Sequence, residues 1–166
     1  MKKHYYQADI AIIGGGIAGI VTALELLNTG KSIALFDRDT EDNFGGLAKE
    51  SFGGMFFIGS PQQKFSGIKD HVDQAKKDWY SFAEFDENEF WGKKWADAFL
   101  ESTQEIYHWL SKRKIKFFPV VHWVERGLFK PGNSVPRFHM VWGTGHGLME
   151  ALIRDLHTHP NKKNLQ

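Results

Sequence analysis

Gly14, Gly16 and Gly19, with Asp37 following 23 residues after the first of them, are the residues of this chain whose types and spacing most directly imply chemistry. Glycines in the order G-x-G-x-x-G allow a tight turn, then a close approach of pyrophosphate to backbone, then close packing of a helix on a strand. A carboxylate about 20 residues further on can accept hydrogen bonds from a ribose. The implied chemistry is the holding of a dinucleotide, with phosphate at a helix N-terminus where unpaired N–H groups and the positive end of the dipole meet an anion.

The pattern has force only if the right elements carry it. Ala8 to Ile13 reads as a short apolar strand running straight into the glycines. Ile20, Ala23, Leu24 and Leu27 then recur at i, i+3, i+4 and i+7, the period of a helix with one buried face, which Asn28-Thr29-Gly30 ends. Ser32 to Asp37 reads as a second buried strand with the acid at its end. Strand, glycines, helix, strand and acid agree. The plain alternative is a βαβ unit with a glycine-rich turn and an Asp37 that is a solvated strand-end carboxylate or a helix cap.

A nicotinamide-dinucleotide domain usually continues into another helix and a third parallel strand. Here Asn43-Phe44-Gly45-Gly46-Leu47-Ala48 and Ser51-Phe52-Gly53-Gly54-Met55 follow instead. Two Gly-Gly pairs eight residues apart bring backbone close to something flat or anionic, or else form two flexible turns.

Together the glycine fingerprint, Asp37-Arg38, Gly45-Gly46 and Ser51-Phe52-Gly53-Gly54-Met55 resemble the N-terminal part of FAD-binding dehydrogenases of the fumarate reductase and succinate dehydrogenase flavoprotein superfamily, in its ketosteroid Δ1-dehydrogenase-like branch. The runs Gly132 to His139 and Trp142 to Met149 look like the same branch, so the resemblance extends from about residue 8 to about residue 157. It implies FAD as cofactor. Pyrophosphate would lie on Gly14, Gly16, Ile17, Ala18 and Gly19, and the adenosine ribose on Asp37 and Arg38. Gly45, Gly46, Ser51, Gly53 and Gly54 would pass beside the flavin. The activity implied is hydride transfer between flavin and a carbon–carbon bond next to a carbonyl or carboxylate of a small-molecule substrate.

The expected fold is α/β, an incomplete Rossmann-like FAD-binding domain with an N-terminal βαβ unit and a mainly helical, aromatic-rich extension. The boundary is expected near residue 60, giving segments 1–60 and 61–166. At 166 residues the chain is long enough for a core, yet members of the resembled superfamily are several times longer, so an N-terminal portion of a larger protein is expected. Leu165-Gln166 can begin a strand.

With 21 basic and 20 acidic residues and no block of like charge, a nucleic-acid footprint is unsupported. No run approaches the roughly 20 apolar residues of a membrane span, and the N-terminus lacks a signal-peptide pattern, so a cytoplasmic location is expected. The chain has no cysteine, hence no disulfide or thiolate chemistry. Unpaired strand edges raise the expectation of self-association.

Ser60-Pro61 is a good helix start, Asp70 can cap a second helix carrying Val72, Ala75, Trp79 and Phe82, and a third helix is expected over about Glu89 to Lys112. Its Trp91, Trp95, Ala98, Phe99, Ile106, Trp109 and Leu110 are expected in core and interface packing. Lys116 to Val121 reads as a strand bent or edged by Pro119, Arg137 to Trp142 as another, and Gly145 to Leu156 as a helix.

No metal spacing is evident among the eight histidines, and His157 and His159 read as solvated. Alternation over Arg137, His139 and Val141 puts a cation and an imidazole on one strand face. There they could meet an anionic or carbonyl substrate, or form a structural ion pair. His146 sits in a Thr-Gly-His segment where packing and chemistry are both open. The competing readings are a non-catalytic Rossmann-like remnant and an NAD(P)-binding module, the second opposed by the Gly-Gly segments after Asp37.

Overall fold

The computed structural model describes residues 5–121 and 123–166. It divides into two compact units, one running to Gly53 and resuming over Gly143–Gln166, the other Gly54–Trp142. This differs from the division at residue 60. The chain returns to the first unit through its last helix, a long-range packing that a linear reading does not reveal.

In the first unit, β1 (Ile10–Ile13) and β2 (Ile33–Phe36) pair in parallel, Ile10 opposite Ile33 and Ile13 opposite Phe36. Between them α1 (Ile17–Leu27) buries Ile20, Ala23, Leu24 and Leu27, the stripe its sequence period predicts. On the far edge of β2, Leu165 bridges Ile33 in parallel, with Leu35 N–H donating to the Gln166 carbonyl at 2.8 Å and Gln166 N–H to the Ile33 carbonyl at 3.0 Å. The βαβ start of a Rossmann-like sheet is therefore present. The last α-helix, α5 (Thr144–Thr158), packs on α1 with Leu148, Met149, Leu152 and Leu156 buried. Just beyond it, Asn161 donates its side-chain amide to the Leu27 carbonyl at 3.0 Å, satisfying an end of α1 that has no helical partner.

The second unit joins β3 (Gly54–Phe56) antiparallel to β4 (Phe138–Met140) and adds three helices, α2 (Pro61–Phe65), α3 (Val72–Ala83) and α4 (Phe90–Lys112). Ser60 caps α2 in a full capping box, its Oγ accepting the Gln63 N–H at 3.1 Å while Gln63 Oε1 accepts the Ser60 N–H at 2.9 Å. Ile58, Ala75 and Leu100 form a small core against Phe56, Val72 and Trp79.

Three expectations need correction in this unit. Lys116 to Val121 forms no strand: Phe117 makes a single antiparallel bridge to Val141, and Pro119, which cannot donate to a ladder, follows two residues later. His71, not Asp70, caps α3, its Nδ1 accepting the Gln74 N–H at 3.3 Å. On α4 the buried positions are Ala96, Leu100, Thr103 and Leu110, whereas Trp91 and Trp95 are 68% and 71% exposed. The smaller residues face inward, and the tryptophans occupy the outward side of the same helix.

Candidate functional site

The first unit carries a groove of about 870 Å³ beside the glycine loop, and Gly14, Asp37, Arg38 and Gly46 line it. Gly14 leaves β1 at φ +105°, a conformation that favours glycine, and donates its N–H to the Phe36 carbonyl at 2.7 Å. A Cβ on Gly14 or Gly16 would meet no atom within 4 Å, so the space above this turn is open. At Gly19 the reverse holds, because a Cβ there would overlap the Gly14 carbonyl oxygen. Two glycine positions are thus open and a third is closed by helix–strand packing, the division of labour that a dinucleotide loop requires.

Gly16 caps α1 without any side-chain hydrogen bond, and the first turn holds no acidic residue. Ile17 and Ala18 are exposed there. The first N–H groups of the helix lack intrahelical acceptors and face a region without competing negative charge on the helix itself.

Asp37 extends from the end of β2. One carboxylate oxygen accepts the Gly15 N–H and the other accepts the Asp39 N–H at 2.8 Å. These donations, that of Asp39 first and that of Gly15 next, hold the carboxyl below its usual range, so it stays an acceptor at neutral pH. Each oxygen keeps a further lone pair for a hydroxyl group.

Gly45 donates its N–H to the Gly15 carbonyl at 3.0 Å and bridges Gly16 in parallel, which fixes the second glycine segment against the first. Ser51 Oγ donates to the Ala48 carbonyl at 2.8 Å and accepts the Gly53 N–H at 3.2 Å. A Cβ on Gly53 would lie 2.7 Å from the Thr144 backbone. Ser51 and Gly53 thus have packing roles of their own. Gly54 belongs to the second unit, where a Cβ would overlap the Phe138 ring, and that packing accounts for the glycine without a ligand.

Arg137, the residue before β4, and His139 within it are both buried, as their alternation predicts for one face. Arg137 is wholly buried, with Nε and Nη2 forked onto Asp70 at 2.8 and 2.7 Å and Nη1 on Asp78 at 2.6 Å and Asn133 Oδ1 at 2.9 Å. Burial alone would lower its pKa; hydrogen bonds and charge from Asp70 and Asp78 outweigh this and raise it. A buried fork of this kind is stronger than a helix cap, which is why Asp70 leaves the cap to His71. His139 is also buried, between Ser60 Oγ at 2.6 Å and the Arg137 carbonyl at 2.7 Å, and burial holds its pKa below the usual value. Of the two readings open for the pair, a substrate contact and a structural ion pair, these buried partners support the second.

The groove also contains residues that the glycine pattern does not announce. Ile13 and Leu47 line it at 83% and 88% exposure, apolar side chains left open to solvent. Leu47 directly follows Gly45-Gly46, the one signal that could have singled it out. His146 lines the same groove. Among the described residues no cluster of three metal-ligating side chains exists, and no helix is long and apolar enough to cross a membrane.

Residues 9–166 match the family model described as FAD binding domain, and the chain belongs to that family. Its cofactor is FAD. A "KsdD-like steroid dehydrogenase" of Mycobacterium tuberculosis is 42% identical over 158 residues, 92% of this chain and 28% of the relative. The protein of that description from Mycolicibacterium smegmatis is 43% identical over 153 residues, 89% of this chain and 28% of the relative. The chain thus spans just over a quarter of the length of these curated relatives. Among solved structures, 3-ketosteroid-Δ4-(5α)-dehydrogenase from Rhodococcus jostii, in complex with 4-androstene-3,17-dione, aligns with a TM-score of 0.74 at 21% identity, over 97% of this chain and 38% of that one. A flavocytochrome c3 fumarate reductase aligns with a TM-score of 0.73 at 21% identity, over 90% of this chain and 25% of that one. At such identities the likeness concerns the fold. These relatives carry the names of steroid dehydrogenases and of a fumarate reductase.

Proposed function

We propose that this chain is the cofactor-cradling portion of an FAD-dependent dehydrogenase or reductase. Gly14, Gly16 and the first N–H groups of α1 at Ile17, Ala18 and Gly19 take the pyrophosphate. Asp37 and Arg38 take the adenosine ribose. Gly45, Gly46, Ser51 and Gly53 keep the second glycine segment close enough to follow the cofactor toward its flavin. When bound, FAD supplies hydride acceptance or donation at its ring. The chain's own residues bind and orient it, and Ile13 and Leu47 shield it from water.

For the whole protein, the reaction class is hydride transfer at a carbon–carbon bond next to a carbonyl or carboxylate. Relatives named steroid dehydrogenases support a steroid-like ketone as substrate. Self-association belongs to the same reading, since the outer edge of β1 pairs with no strand among the described residues.

The observation that carries the proposal is the open space at Gly14 and Gly16, together with one groove lined by both Gly14 and Asp37. The test is titration of the purified chain with FAD, followed by flavin fluorescence and the visible spectrum. Saturable binding of one FAD, with no competition from NADH, supports the reading; absence of binding rejects it. The short span of the relatives covered favours a narrower second reading, in which the chain alone binds FAD without steady turnover. Turnover of an enone or fumarate-like substrate by the 166-residue chain would reject that.

A further inference from the structure

The lining of the cofactor groove is acidic, which suits an anionic ligand poorly. Asp37, Asp39, Asp42 and Glu50 stand against the cations Arg38 and Lys49, and Asn43 and His146 are the other nitrogen-bearing side chains of the lining, Asn43 already donating its amide to Asp39 Oδ1 at 2.9 Å. Lys49 is already engaged, its Nζ 3.2 Å from the Asp42 carbonyl and its stem lying where a Cβ on Gly45 would come within 2.9 Å of it. Arg38 stands beside Asp37 and is proposed with it for the ribose. His146 is different. It is exposed, and its Nε2 lies 3.3 Å from a Glu150 carboxylate oxygen one turn along α5, a long and solvent-facing pairing.

The position of His146 is nonetheless fixed. Gly145 donates its N–H to the Ser51 carbonyl at 2.9 Å, and a Cβ on Gly145 would overlap the Ala48 carbonyl oxygen. The start of α5 is therefore held against the second glycine segment by a contact that only glycine permits, and the next residue is placed on the groove wall.

We infer that His146 is a further cofactor contact, donating an imidazole N–H to the pyrophosphate of bound FAD. The inference rests on the cradle proposed above. Two linked phosphates present more acceptor oxygens than the first turn of α1 can serve, and a charge-assisted donor elsewhere in the groove lining complements them. Glu150 is then a competing acceptor that releases the ring when the cofactor arrives.

The test is binding of FAD, ADP and riboflavin to the wild-type chain and to His146→Ala, His146→Gln and Glu150→Gln, with circular dichroism and thermal melting as folding controls. His146→Ala should weaken FAD and ADP alike by about ten- to a hundredfold, as expected for one lost charge-assisted hydrogen bond. Riboflavin, which lacks the pyrophosphate, should bind equally to both. His146→Gln, which keeps an N–H donor, should recover part of the loss, and Glu150→Gln should bind FAD as well as or better than wild type. Unchanged FAD affinity in a folded His146→Ala protein overturns this contact alone. Loss confined to riboflavin and FAD overturns it in favour of a flavin contact, and failure of the wild-type chain to bind FAD overturns the cradle together with it.

Discussion

Gly16→Val and Gly19→Ala separate the two tasks that one glycine fingerprint performs. At Gly16 the backbone is extended, φ −77° and ψ −174°, a region that valine adopts readily, and a Cβ meets no protein atom within 4 Å. The fold should tolerate the change, with a stability cost of about 1 kcal/mol or less. The branched side chain instead occupies the space where a phosphate would approach the start of α1. Losing two charge-assisted hydrogen bonds to that phosphate, at roughly 1.5–3 kcal/mol each, removes about 3–6 kcal/mol of binding, or on the order of 10²- to 10⁴-fold in Kd. At Gly19 the added carbon overlaps the Gly14 carbonyl oxygen, which is backbone and cannot swing aside. Gly19→Ala should therefore destabilise the first unit by about 1–3 kcal/mol or more. Melting curves and FAD titrations on the same three proteins distinguish the cases. A folded Gly16→Val chain that binds FAD like wild type would refute the assignment of the loop, and a Gly19→Ala chain melting at the wild-type temperature would refute the packing argument.

Other consequences concern single groups. Asp37→Ala should weaken FAD binding about tenfold while leaving riboflavin binding unchanged, and an equal loss for both ligands in parallel titrations would show that Asp37 acts by holding the Gly15 turn instead. Arg137→Met should destabilise the second unit by roughly 3–5 kcal/mol, since Asp70 and Asp78 lose the cation between them, and urea unfolding monitored by tryptophan fluorescence would measure it. Because burial depresses the His139 pKa in the folded chain, the unfolded chain binds the proton more readily. Stability should be fully present above about pH 6.5 and fall as the pH is lowered through the folded value, and the same melts on His139→Gln should be flatter over that interval. A further loss, from the depressed carboxyl of Asp78, belongs to the range below about pH 4.

What was legible in the sequence and what was not divides along a physical line. The βαβ unit was readable because its determinants are local: Ile20, Ala23, Leu24 and Leu27 mark the buried face by period alone, and Gly14, Gly16 and Gly19 mark the turn by backbone demands. The capping box at Ser60 and Gln63 was half visible for the same reason, in the Ser-Pro start of its helix. Asp70 was misread because its role is set 67 residues away, by a fully buried Arg137 whose two-pronged bond outcompetes a cap that any nearby donor or acceptor can replace. Arg137 and His139 were correctly placed on one face, yet alternation says which side a residue takes and not whether that side is wet. The groove residues Leu47 and His146 show the converse. Neither has a periodic or spacing signature, and each comes to the groove through glycines that allow close backbone approach, Gly46 beside Gly16 and Gly145 beneath Ala48. In this fold, glycine positions carry much of the long-range information, since each one whose missing Cβ would strike a distant backbone atom records a contact that side-chain pattern cannot.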